Sequence, residues 1–141
     1  MRGAFDSNAS AYRRLCAVLT MLAACAMAAC GESSDSYIVG TGRWNDFDVT
    51  VESRPAPPRA GNNEVVVIVT GARRQPVFDA LVTLRAQPSE PWVQAIEDGH
   101  VGVYRRAVNF GRGQSATIQV QLRHGSDQGT LSFPVAILAA R

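Results

Sequence analysis

The sequence predicts an all-β fold, two antiparallel sheets packed face to face behind an N-terminal export segment. Three observations predict it. After residue 36 the apolar residues recur with period two and nowhere with the helical period. Six or seven such runs follow one another, each bounded by Gly, Pro or Asn. All three cysteines, Cys16, Cys25 and Cys30, stand before residue 31, so the part that folds must be held by a core and not by disulfides.

The N-terminal segment comes first. Arg2, Arg13 and Arg14 precede an uncharged run, Leu15 to Cys30, that is rich in Leu, Ala, Val and Met and ends in small residues, the zoning of a secretory signal. The run is about 16 residues long, shorter than the ~20 of a membrane-spanning helix. Its end resembles the Leu-small-small-Cys pattern of bacterial lipoprotein signals twice, at Leu22-Ala23-Ala24-Cys25 and at Met27-Ala28-Ala29-Cys30. Cys30 is the expected lipid attachment site because it opens directly onto the polar stretch Gly31 to Ser36; Cys25, with the better Leu at its start, is the alternative. Several acyl chains hold a protein to a membrane where one does so only marginally. The residue after either cysteine, Gly31 or Ala26, is not Asp, which by resemblance to Gram-negative sorting points to the outer membrane, facing the periplasm. A Gram-positive cell surface is the other compartment such a signal serves. The expected organisation is a lipoprotein signal over 1–29, lipidated cysteine and flexible tether over 30–43, and a single β domain over 44–141.

Within that domain, Trp44 to Ser53 alternates, with Phe47, Val49 and Val51 on one face and Asp46, Asp48, Thr50 and Glu52 on the other. Pro55-Ala56-Pro57-Pro58 reads as a crossing loop. Glu64 to Thr70, β-branched and apolar on both faces, suits a central strand. Gly71 to Pro76 turns the chain, and Ala80, Val82 and Leu84 share one parity before Pro88. The stretch from Pro88 to Gly102 is the least regular. Val103 to Phe110, Thr117 to Arg123 and Thr130 to Leu138 alternate again, and Pro134 marks the last as an edge strand or a bulge. The count and the size predict an immunoglobulin-like sandwich of about 100 residues, with a small closed barrel as the alternative.

Four segments together resemble the FixH-like and YtkA-like domains. They are Gly61-Asn62-Asn63 before a Val-rich strand, Gln75-Pro76-Val77 followed by Asp79 to Val82, Gly102-Val103-Tyr104-Arg105-Arg106-Ala107, and a final strand from Gly129 to Val135. In the third, Tyr104 and Ala107 are expected to share a face. The resemblance spans Trp44 to Leu138. It implies an immunoglobulin-like module held outside the cytoplasmic membrane and an accessory role in assembling copper-containing respiratory oxidases. The chain departs from the family in its methionines: Met1, Met21 and Met27 all lie in the signal, so no thioether reaches the exported portion to hold Cu(I).

Charge excludes one function class. Three of the fourteen basic residues and one of the twelve acidic ones precede Cys30, leaving a balanced domain without the cationic footprint of a nucleic-acid binder. His100 and His124, on separate loops, are the candidate metal ligands, and two imidazoles fall short of a full ligand set. His124, Ser126 and Asp127 hold the residue types of a nucleophilic triad, yet within one turn Ser and Asp bond their own backbone. Gly111 to Ala116 fits G-x-G-x-x-A, but a strand and not a helix is expected to leave it. Asp46, Asp48 and Glu52 form a solvated strand face without the carbonyls of a calcium loop. Trp44 is expected in the core and Trp92 on a loop, where it is a candidate partner contact. The expectation is therefore a lipid-anchored, extracytoplasmic, non-catalytic interaction module with a protein partner in the envelope, no cofactor and no nucleic acid. A periplasmic metal-binding or metal-delivery protein is the alternative.

Overall fold

The computed structural model describes residues 35–138, which build nine strands in two antiparallel sheets. They are β1 (Tyr37–Trp44), β2 (Phe47–Arg54), β3 (Asn62–Thr70), β4 (Leu81–Arg85), β5 (Val93–Gln94), β6 (Ile96–Glu97), β7 (Val103–Asn109), β8 (Ser115–His124) and β9 (Asp127–Ala136). One sheet has the order β1-β2-β3-β7-β6, the other β5-β4-β8-β9. Without β1 these are the A-B-E-D and C′-C-F-G orders of an immunoglobulin-like sandwich. Both sheets are open, which excludes the closed barrel. Cys25 and Cys30 lie outside the described residues, as does the whole expected signal. Among the described residues no helix is long and apolar enough to cross a membrane.

Strand alternation creates the core. Val49, Val51, Val65, Val67, Val69, Tyr104 and Val108 face inward from the first sheet, against Val82, Leu84, Ile118, Val120, Leu122, Phe133 and Val135 from the second. β3 is the central strand its composition predicts, and its outward Val66 is buried as well, flanked in register by Glu52 and Arg105. Pro134 does lie on an edge strand, β9.

Several expectations are corrected. The tether does not extend to residue 43, because β1 begins at Tyr37 and pairs along β2 from Tyr37–Ser53 to Trp44–Phe47. The alternation over Trp44 to Ser53 belongs to the end of a hairpin: the chain reverses at Asn45-Asp46, where Asn45 takes the left-handed conformation that such two-residue turns require. β1 carries Gly40 and Gly42 in place of inward side chains, because the rings of Phe133 and the methyls of Leu131 fill that space. The expected loop from His124 to Gly129 shrinks to Gly125-Ser126, with His124 and Asp127 already paired. Tyr104 and Ala107 do not share a face: an odd spacing in a strand sends Tyr104 into the core and Ala107 to the outer surface beside Glu64.

The irregular region from Pro88 to Gly102 changes sheets. Val93–Gln94 pairs with β4, then Ala95, buried and bonded through its N–H to Val82 O at 2.9 Å, carries the chain across so that Ile96–Glu97 pairs with β7. The connections therefore gather at two ends. One, called the loop end, holds the β1–β2 turn, residues 71–80, residues 98–102 and the β8–β9 turn. The other, the terminal end, holds residues 55–61, 86–92 and 110–114, and there β1 begins and the chain reaches Leu138, whose N–H bonds Pro58 O at 2.9 Å. At the terminal end buried Asn63 closes the proline loop, accepting from Arg59 N–H at 3.0 Å and donating to Arg59 O and Gly61 O at 2.6 and 2.9 Å.

Candidate functional site at the loop end

Tyr104 builds the floor of the loop end. Its hydroxyl donates to Val77 O at 2.8 Å and accepts from Ala80 N–H at 3.3 Å, pinning the β3–β4 connection to β7. Burial pushes the phenol above its ordinary range, the Ala80 N–H opposes that shift, and Glu97 and Asp79 reinforce it. Gly102, at φ +70°, fits under the same connection: a Cβ there would lie 2.5 Å from Val69 O and 2.8 Å from Val77 N. Only a residue without a side chain allows these backbones to approach so closely.

On this floor the loops carry two of the six exposed large apolar residues among those described, the others being Tyr37, Ile38, Ile96 and Leu138. Phe78 and Val101 are large apolar residues left 53 % and 54 % exposed. Phe78 meets the His100 ring edge-on at 6.0 Å, and His100 Nδ1 lies 3.3 Å from Glu97 Oε1. Across the end, His124 Nε2 sits 3.1 Å from both oxygens of Asp79, and its ring packs edge-on against Phe47 at 5.0 Å; Phe47 in turn stands 5.8 Å from Trp44. Four non-glycine residues have positive φ among those described, Asn45, Arg73, Arg74 and His100, and all four belong to this end. Backbone held in sparsely populated regions concentrates where proteins bind or switch.

The sequence candidates are placed as follows. His100 and His124 share the loop end, but each is tied to its own carboxylate, Glu97 and Asp79, and among the described residues no group of three or more His, Cys, Asp and Glu side chains gathers in a metal-holding arrangement. His124 faces Asp79, whereas Ser126 Oγ donates to Asp127 at 3.4 Å, so base and hydroxyl point to different partners. Gly111 to Ala116 is a turn from which β8 leaves at Ser115. Trp92 is half-buried at the terminal end under the Arg85 guanidinium, 4.4 Å from its ring centre, while His100 and Val101 stand at the loop end. The segment from Pro88 to Gly102 is thus split between opposite ends of the sandwich.

A second concavity, ≈ 630 Å³, lies on the outer face of the five-stranded sheet between Glu64, Ile96 and Ala107. Its charges compensate one another: Arg105 meets Asp98 at 2.7 Å and Glu64 at 3.7 Å, and Arg54 meets Glu64 at 3.6 Å. The sequence singled out neither Phe78 nor Val101. Only the signs of turns around them, Gln75-Pro76 and Asp98-Gly99, were visible, and nothing local says that two turns 23 residues apart meet. Comparison of the chain with protein-family models, with characterised proteins and with solved structures finds no match.

Proposed function

We propose that the protein is a lipid-anchored, extracytoplasmic, non-catalytic interaction module that presents the loop end of its sandwich to a protein partner in the cell envelope. The observation that carries this reading is the gathering of exposed Phe78 and Val101, both histidines and every described non-glycine residue of positive φ at one end. Exposed apolar residues set among polar loops are the composition of a contact surface, and loops on a rigid sandwich are the usual place for one. β1, the first described strand, starts at the terminal end, opposite the loop end. The resemblance to FixH-like and YtkA-like domains suggests the partner class, a membrane complex under assembly, and the lack of methionine after the signal favours contact over copper transfer.

The test is cross-linking of the full-length protein in its native membrane, with partners and the lipidated cysteine identified by mass spectrometry. Phe78→Ser together with Val101→Ser should abolish the partner cross-links while leaving the melting temperature within about 2 °C, since both side chains are largely in water. Undiminished cross-links in the double variant would refute the assignment of the loop end.

A further inference from the structure

The structure assigns a separate interaction surface to the edge of β9, which is free among the described residues, and we propose that its occupant is a second copy of this chain. β9 is ten residues long and forms one border of the four-stranded sheet. Ile137 N–H bonds Gln114 O at 2.9 Å, and the register pairs His124 with Asp127 through to Ser115 with Ala136. Hydrogen-bonded pairs alternate along an antiparallel ladder, so the odd-numbered residues of β9 turn their N–H and C=O toward β8. The backbone groups of Gln128, Thr130 and Ser132 consequently point away from the sheet. Pro134 shares their parity, which places its missing N–H on the free side, where it disturbs no bond.

Sheet edges are ordinarily protected by brevity, bulges, proline or charge, and in β9 Pro134, near its end, is of this kind. β5 and β6 are two residues each, and β1 has a register shift between Ile38 and Gly40. β9 has none of these over Gln128–Ser132, and no charged residue follows Asp127 in the strand. Among the described residues the hydrogen-bonding edge is open, since β1 packs across the inner face of β9 through Gly40 and Gly42 against Phe133 and Leu131.

Self-pairing is what this edge suits. An antiparallel pair of β9 strands about a two-fold axis at Thr130 sets Thr130 opposite its own mate and Gln128 opposite Ser132 of the second copy. Every outward N–H between the Gly125-Ser126 turn and Pro134 then finds a partner, no like charges meet, and Thr–Thr is among the favourable cross-strand pairs. Pro134 ends the added ladder on each side. The four-stranded sheets of the two copies become one continuous sheet.

The experiment co-expresses two full-length forms with different C-terminal tags, extracts them in detergent, captures one tag and quantifies the other. Wild type should capture wild type. Thr130→Lys in both forms should lower capture about tenfold, because two ammonium groups then face each other across the axis. Thr130→Lys paired with Thr130→Glu should restore it, which unfolded variants could not do. Absence of wild-type co-capture, undiminished capture between the two Lys forms, or a Lys/Glu pair no better than Lys/Lys would each overturn the proposal; the last would leave the edge to a strand of a different protein.

Discussion

Tyr104→Phe isolates a buried polar anchor that the sandwich places beneath its loop end. The substitution keeps the ring, which is 2 % exposed, and removes only the hydroxyl that donates to Val77 O at 2.8 Å and accepts from Ala80 N–H at 3.3 Å. A buried carbonyl left without its donor costs about 1–3 kcal/mol. For a domain of this size each kcal/mol moves the melting temperature by roughly 4–8 °C, so a fall of about 4–24 °C is expected near neutral pH. The pH dependence adds an independent readout. Burial raises the phenol's pKa above its ordinary 10.0, so the folded state holds this proton more tightly than the unfolded chain. The corresponding stability is fully present below pH about 10 and is lost as the pH climbs through the raised folded value. Wild type should therefore lose stability steeply above pH about 10, and the Phe variant should lack this component of the slope. Circular-dichroism melts across that range decide the matter. A variant that melts with wild type at pH 7 and keeps the same alkaline slope would refute the role given to the hydroxyl.

Other outcomes follow from the same geometry. Ser53 is wholly buried with no partner for its hydroxyl among the described residues, so Ser53→Ala should raise stability by about 1 kcal/mol in urea titration. Gly102→Ala combines a left-handed φ with backbone atoms already where the methyl must go, and it should cost on the order of 3 kcal/mol, read as a large drop in soluble yield and melting temperature. Trp92→Ala removes a half-buried stacking contact with Arg85 and should change stability by about 1 kcal/mol or less, measured by the same melts.

The sandwich was legible in the sequence wherever one face of a strand is wet and the other dry, as in Phe47–Arg54 and Ser115–His124. β3 was legible for the opposite reason, since only a central strand can bury valines on both faces. β1 escaped because its inward positions are Gly40 and Gly42, which carry no hydrophobic signal; the partner that makes them necessary, Phe133, is over 90 residues away. The change of sheet at Ala95 escaped because two strands of two residues are too short for any period to register. The candidate site was visible only in fragments. His100 and His124 stood out by residue type, but Asp79 and Glu97 could be assigned to them only once the loops had met. Trp92 drew attention by its size, and the fold placed it at the far end from Phe78 and Val101.

The start of β1 and the last bridge, Arg59–Leu138, stand at the same end, with Tyr37 beside Ser53 and Leu138 beside Pro58. A sandwich whose described strands begin and finish at the same end suits insertion into a surface loop of a host protein, or permutation by a linker across that end. In the permuted form new termini would be opened at Gly125-Ser126, in the β8–β9 turn at the loop end.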